Sequence, residues 1–300
     1  MIPNAIIQLM PESNLKRRFE DINHVESLPI AECGESDNGS PFIVLENGVI
    51  FYGDRPFRLQ KYIYRFFTSR SFRKKVPESA FGIAWNIWIR YWKGGHITQE
   101  KEYQLKPGDT VVEAGAFIGY YTLKMSERVG PNGHVVAIEP IEENRKIILK
   151  NIEANNIHNV TVLPYAIWNE KTETTFYVTS RQKNSLVAQL AYSRGKARAL
   201  TVPANTIDNI IRETNIKPPD LVIITVNGTE VEALEGMEAA LEYDNLHLVV
   251  AAKYVVDGVP VIERVKALLE KKNYKLVLDH YGFVTNENPK QQAVVYASRK

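Results

Sequence analysis

The fold this sequence predicts is α/β: a mostly parallel sheet covered by helices on both faces, preceded by a smaller α+β region with hairpins. Three observations carry that prediction. From Pro107 onward, short and fully apolar runs alternate with amphipathic helical stretches, as in strands buried on both faces. Before Leu105-Lys106-Pro107-Gly108 the signals differ, with turn-linked apolar runs and one basic, aromatic segment. The 300 residues are 44% hydrophobic and 24% charged, which suits one large or two small globular domains and excludes disorder and collagen-like repetition. The boundary separates an accessory or substrate region, residues 1–105, from residues 106–300.

In chain order, residues 42–45 and 49–52 flank Glu46-Asn47-Gly48, and Asn-Gly between apolar runs is a hairpin signal because both residues tolerate positive φ. Residues 55–75 read as a helix. A second hairpin is expected from residues 85–92 and 97–105 around Lys93-Gly94-Gly95-His96. Strands follow at 110–114, 134–138, 160–163, 221–226, 246–251 and 274–278, with helices at 118–128, 141–154, 230–241 and 261–272. Residues 292–297 complete the pattern as an edge strand.

Composition excludes several classes. With 37 Lys+Arg against 35 Asp+Glu the net charge is +2, so only a local patch could favour a polyanion. Cys33 is the single cysteine, which rules out an intramolecular disulfide and a Cys-rich metal site and points to a reducing, cytoplasmic setting. Residues 1–14 lack the pattern of a secretory signal, and the most apolar windows are far shorter than the roughly 20 residues of a membrane span. Asn227-Gly228-Thr229 matches the glycosylation pattern but means little without a secretory route. His96, His134 and His280 are dispersed, and no metal is assigned.

The most informative stretch is Glu113-Ala114-Gly115-Ala116-Phe117-Ile118-Gly119. It joins the first apolar strand after Pro107 to a helix, the place where a ligand can approach backbone N–H groups. Glu139 ends the next strand twenty positions after Gly119, where an acid in such folds accepts hydrogen bonds from ribose hydroxyls. The glycines are spaced G-x-x-x-G, unlike the dinucleotide fingerprint, and there is no P-loop. Glu113 stands where the fingerprint has its first glycine. A carboxylate there would repel a pyrophosphate by roughly 1 kcal/mol or more, but would favour a ligand carrying an ammonium and a sulfonium. S-adenosyl-L-methionine combines those cations with a ribose diol. The competing reading is that Gly115 and Gly119 permit close packing and Glu139 caps a helix.

At these residues the sequence resembles class I S-adenosylmethionine-dependent methyltransferases, and within them the FkbM-like family. The likeness rests on Val112-Glu113-Ala114-Gly115-Ala116-Phe117-Ile118-Gly119-Tyr120-Tyr121-Thr122, Ala137-Ile138-Glu139-Pro140, Leu149-Lys150-Asn151-Ile152 with Asn155-Asn156, Val162-Leu163-Pro164-Tyr165-Ala166, and Thr206-Ile207-Asp208. It implies a Rossmann-like, seven-stranded sheet within residues 106–300 and a cofactor at the carboxyl ends of its strands. It also implies that Glu113, Gly115 and Gly119 surround the methionine moiety, Glu139 holds the ribose, Tyr165 and Ala166 lie near the adenine, and Ala116 and Pro140 are further cofactor-binding residues. Acceptors implied by the family are hydroxyl groups of sugars or other small molecules.

One stretch departs from the family's lysine-x-aspartate-x-glutamate-glycine pattern: Ile223, Thr225 and Asn227 replace its three charged residues, and only Gly228 and Glu230 remain. A hydroxyl acceptor must lose a proton, so a positioned base is expected. Glu230 is one candidate, with helix capping as its alternative. Asn227 is a second, as a group that orients a nucleophile, with an ordinary turn residue as its alternative.

Residues 55–75 carry eight basic side chains, Arg55, Arg58, Lys61, Arg65, Arg70, Arg73, Lys74 and Lys75, with interleaved aromatics and no acid. The pattern suits RNA, an anionic glycan or a membrane surface, and equally a helix that buries its aromatics while the cationic stems reach out. Trp85, Trp88 and Trp92 would pack in the core or against sugar rings. Three functions therefore stand open: O-methylation of a small-molecule or glycan hydroxyl, methylation of RNA or an amine, and a non-catalytic binding module on the same fold.

Overall fold

The computed structural model describes residues 21–54, 61, 64–65, 68–92, 101–179, 184–188, 190, 197–279 and 294–299. The chain divides into two compact units, Met1–Thr98 with Ile147–Ile157, and Gln99–Lys146 with His158–Lys300.

In the first unit, β1 (Ile30–Glu35), β2 (Pro41–Leu45) and β3 (Ile50–Tyr52) form an antiparallel sheet, and the Asn-Gly hairpin lies between β2 and β3 as the sequence indicates. The 55–75 segment differs from the single helix expected. Lys61, Tyr64 and Arg65 are helical, but the chain bends at Thr68 and restarts in α1 (Arg70–Lys75), where the Ser69 hydroxyl accepts the Phe72 N–H. Residues 55–60, 62–63 and 66–67 of that segment lie outside the described residues.

The first arm of the expected second hairpin is helical. α2 (Glu78–Asn86) begins after Pro77 with an acid in its first turn, and runs into a π-helix, Ile87–Trp92. Ile87, Ile89 and Tyr91 are buried while Trp88 and Arg90 are half-buried, so the two-residue alternation was real but belongs to a wound backbone. The remainder of that hairpin, through residue 100, lies outside the described residues. The Trp88 indole N–H donates to Asp21 at 2.8 Å and its ring stacks on His24, while Trp85 meets Phe81. These rings serve internal packing.

The second unit is built on a seven-stranded, mostly parallel sheet. Its strands and helices follow as β4 (Thr110–Ala114), α3 (Tyr120–Val129), β5 (His134–Ile138), α4 (Glu142–Ala154, which continues into the first unit) and β6 (Val160–Leu163). Next come β7 (Ala166–Ile167), β8 (Thr172–Thr179), β9 (Ala197–Asn205), α5 (Ile207–Thr214) and β10 (Leu221–Ile224). The chain ends with α6 (Glu230–Glu235), a 3-10 turn at Ala240–Glu242, β11 (His247–Val250), the short pair β12 (Val255–Val256) and β13 (Val259–Pro260), α7 (Val261–Lys271), β14 (Tyr274–Asp279) and β15 (Val294–Arg299).

Strand order is β14-β15-β11-β10-β4-β5-β6, parallel from β11 to β6, with β15 antiparallel to both neighbours. The last strand is thus interior, not at the edge as expected: its side chains Val294–Ala297 are buried, and β14 takes the edge. Val112, Ala114, Val136, Ile138, Val222 and Ile224 share one core with α5, α6 and α7. The alternate residues face the other way, where α3 brings Thr122 onto Glu113.

β7, β8 and β9 form a separate sheet absent from the sequence prediction. β8 and β9 carry an exposed, Thr-rich face with few buried positions, so they show none of the fully apolar pattern of the central strands.

Candidate cofactor and acceptor site

The sheet order places one junction apart from the rest. From β4 the chain runs outward through β5 and β6, then returns to the other side of β4 with β10 and β11. In open parallel sheets ligands bind at this reversal, outside the carboxyl ends of the two strands. The glycine loop leaves β4 there, and Thr225 leaves β10 beside it.

Gly115 adopts φ +94, and a Cβ on it would lie 2.5 Å from the Thr225 carbonyl oxygen and 2.8 Å from its Oγ1. Only glycine satisfies both the dihedral and the contact. The Gly115 and Ala116 N–H groups donate to the Ile138 carbonyl at 2.9 and 3.0 Å, fastening the loop to β5. Phe117 is left-handed at φ 56, an unfavourable conformation for a bulky side chain, and its N–H donates to Glu139 Oε2 at 2.9 Å. Gly119, buried, starts α3.

Glu139 is 6% exposed. Its Oε1 accepts from the Ile141 N–H and from Asn144 Nδ2, both at 3.1 Å. Burial pushes its carboxyl up to about 7 against these donors and the nearby Arg145. Three of about four acceptor positions on the carboxylate are occupied among the described residues, which leaves Oε2 able to take one more donor such as a ribose hydroxyl. The carbonyl of Pro140 is taken by Arg145 at 2.6 Å.

Glu113 lies inward from the loop. It is 3% exposed and accepts the Thr122 hydroxyl at 2.5 Å, under α3. Tyr165 is half-buried just past β6 and packs on the main core. Ala166 is buried among Ile141, Phe176, Val202 and Ala204, with its backbone paired to β9.

The three departures, Ile223 on β10 and Thr225 and Asn227 just after it, each put an uncharged side chain in place. Ile223 is buried and lies opposite Glu113 in register. The Thr225 hydroxyl bridges to the Ala114 and Gly115 carbonyls at 3.1 and 3.2 Å, a donor's role that an ionised acid could not fill. Asn227 uses both ends of its carboxamide, donating to the Asn184 carbonyl at 2.8 Å and accepting the Tyr254 hydroxyl at 2.9 Å. Glu230 is fully buried; both its oxygens accept the Gly228 N–H, and burial raises its carboxyl to about 7.

The junction therefore gathers Gly115, Ala116, Phe117, Glu139 and Thr225, with Asn227 two residues beyond. Sequence reasoning missed the roles of Phe117, Thr225, Asn144, Asn184 and Tyr254. Asn144 lay within reach of inspection, five positions after Glu139 on the following helix. The others act through contacts of long sequence separation. Among the described residues, no three His, Cys, Asp or Glu side chains could hold a metal ion, and no helix is long and apolar enough to cross a membrane.

In the basic segment, Arg65 is bound to Glu78 at 2.6 and 3.1 Å with Lys61 nearby, and Arg73 donates to backbone carbonyls including those of Thr68 and Arg65. Phe72 is buried. Arg70, Lys74 and Lys75 are exposed.

A mostly parallel sheet with a glycine loop and a buried acid at its switch point is the Rossmann-like architecture of nucleoside-binding folds. The family model described as the methyltransferase FkbM domain matches residues 113–276, more than half of the chain, and the chain belongs to that family. The family uses S-adenosylmethionine.

Among curated relatives, a protein-L-isoaspartate O-methyltransferase from Ignicoccus hospitalis is 43% identical over 60 residues, 20% of this chain and 28% of that protein. A protein-L-isoaspartate O-methyltransferase from Methanothrix thermoacetophila is 37% identical over 59 residues, with the same two shares. The matches thus span under a third of those relatives. Among solved structures, the FkbM methyltransferase of Methylobacillus flagellatus has 13% identity and a TM-score of 0.43, over 73% of this chain and 54% of that one. Aeropyrum pernix fibrillarin with bound S-adenosyl-L-methionine has 12% identity and a TM-score of 0.45, over 90% and 99%.

Proposed function

We propose that this protein transfers a methyl group from S-adenosylmethionine to a hydroxyl oxygen of a sugar or other small molecule. The observation that carries the reading is the β4–β10 junction, where Gly115 packs without a Cβ against Thr225 while Glu139 holds the loop through the Phe117 N–H. When bound, the cofactor supplies a methyl group on a sulfonium. Glu139 would take a ribose hydroxyl on Oε2, and the loop backbone would line the cofactor's path. Glu113, 3% exposed beneath the loop, would favour a cationic ligand through its field. Pro140, Tyr165 and Ala166 would border the nucleoside by position in the chain, with Tyr165 presenting the larger surface.

A hydroxyl acceptor sheds its proton as the new C–O bond forms. Glu230 faces Gly228 and has no exposure, so in this reading it holds the turn that carries Asn227, and a solvent-borne base or the acceptor's own acidity removes the proton. The same observation favours a second reading: a module that binds the cofactor without turnover.

Labelled-methyl transfer to a panel of sugars, small alcohols, amines and bulk RNA separates these. Transfer to a hydroxyl, abolished by Gly115→Arg, is the expected result. Transfer to RNA or an amine would redirect the acceptor assignment, and cofactor binding with no transfer to any acceptor would favour the second reading.

A further inference from the structure

The cofactor flank of the junction is β4 and β5, which carry the glycine loop and Glu139. The opposite flank, at the carboxyl end of β10, is covered by two segments that come from distant parts of the second unit. One is residues 184–188 with Leu190, in the connection between β8 and β9; the other is the β12–β13 pair after β11. Both converge on Asn227-Gly228.

That turn is held in an unusual conformation from several directions. Asn227 and Gly228 both have positive φ, at 58 and 109. Buried Ser185 donates its hydroxyl to the Asn227 carbonyl at 2.7 Å and accepts the Val187 N–H at 2.9 Å. The Asn227 carboxamide joins the Asn184 carbonyl on one side to the Tyr254 hydroxyl on the other. A Cβ on Gly228 would lie 2.5 Å from Leu190 and 3.5 Å from Val256, so both segments close directly on the turn. Asn and Gly enter the left-handed region at least cost, so it is these side-chain contacts that hold the turn in place.

We propose that Asn227 is the positioning residue of the acceptor side. By holding Asn184 and Tyr254 at once, it sets residues 184–188 with Leu190, and residues 254–260, as the two walls that orient the methyl acceptor, and it leaves the cofactor's own contacts alone. This rests on the methyltransferase reading above. Asn227 does no chemistry at the reacting atoms; it fixes the surfaces between which they meet.

Asn227→Asp keeps the acceptor for Tyr254 but turns an oxygen toward the Asn184 carbonyl, and Tyr254→Phe removes one hydroxyl without disturbing the ring. The readouts are calorimetric affinity for S-adenosylhomocysteine, amide exchange at Ser185, Val187 and Leu190, and acceptor KM and kcat for the hydroxyl found by the panel. The expected result for Asn227→Asp is faster exchange confined to these amides and an acceptor KM raised about tenfold, with kcat changed less and S-adenosylhomocysteine affinity within about twofold of the parent. Tyr254→Phe shifts the same quantities in the same direction by a smaller factor.

Unchanged exchange and KM in both variants would overturn the proposal, as would a loss of cofactor affinity as large as the change in KM. A parent protein that fails to bind S-adenosylhomocysteine would overturn the methyltransferase reading instead. The exchange comparison then decides the hold of Asn227 on Asn184 and Tyr254 alone, and unchanged protection refutes it.

Discussion

At Glu139 burial and hydrogen bonding pull in opposite directions. Burial wins, lifting the carboxyl from its ordinary 4.5 to about 7 despite donors from Phe117, Ile141 and Asn144. A raised acid contributes stability that is fully present below its ordinary range and is lost as pH rises toward 7. Glu139→Gln should therefore flatten part of the fall in thermal stability between pH 4.5 and 7. A ligand that donates hydroxyls favours the ionised form, so its affinity should rise by about tenfold from pH 6 to pH 8 and level off, with proton uptake by buffer on binding. Calorimetry in two buffers of different ionisation enthalpy reads both effects, and Glu139→Gln should remove the slope.

Gly115 gives a second test at this scale. Alanine there meets both a φ of +94 and the Thr225 carbonyl, which should cost about 1–3 kcal/mol and lower the melting temperature. Gly115 and Glu139 were legible because spacing and strand ends are local properties. Thr225 was legible only as a departure from a pattern. Its use as a donor to Ala114 and Gly115 depends on pairing between residues more than a hundred positions apart.

Among the elements, α4 shows how side chains can complete a sheet. Asn151 accepts the Tyr52 N–H at 2.7 Å and donates to the Tyr52 carbonyl at 3.1 Å; Asn155 does the same with Ile50, at 2.9 and 2.7 Å. Four residues on a helix rise about 6 Å and two on a strand about 6.7 Å, so the two carboxamides match alternate backbone groups of β3. The pair thus satisfies an edge that would otherwise seek another strand. Asn151→Leu should destabilise the first unit by about 2–3 kcal/mol in urea unfolding and speed exchange at the Ile50 and Tyr52 amides.

The central strands and helices were readable from apolar periodicity. Ile87–Trp92 was not, because alternating burial there coexists with helical winding that begins at Pro77 and Glu78. The antiparallel β8–β9 pair is not legible in the sequence, because β8 is largely exposed and carries polar and threonine residues. The site inherits this asymmetry. The glycine loop and Glu139 sit on readable central strands, whereas Asn184 and Tyr254 sit on connections that meet at Asn227.

For the molecule as a whole, the central claim is that the β4–β10 switch point is a working cofactor site. Binding to the native state alone stabilises by mass action, about 2.7 kcal/mol at a hundredfold excess over Kd, so S-adenosylhomocysteine should also raise the melting temperature. The most direct measurement is calorimetric titration of the purified chain with S-adenosylmethionine and S-adenosylhomocysteine, alongside Glu139→Ala. Stoichiometric, micromolar binding of both by the parent, lost in the variant, is the predicted result. A well-folded parent that binds neither, or a variant that binds both as tightly as the parent, would contradict the account.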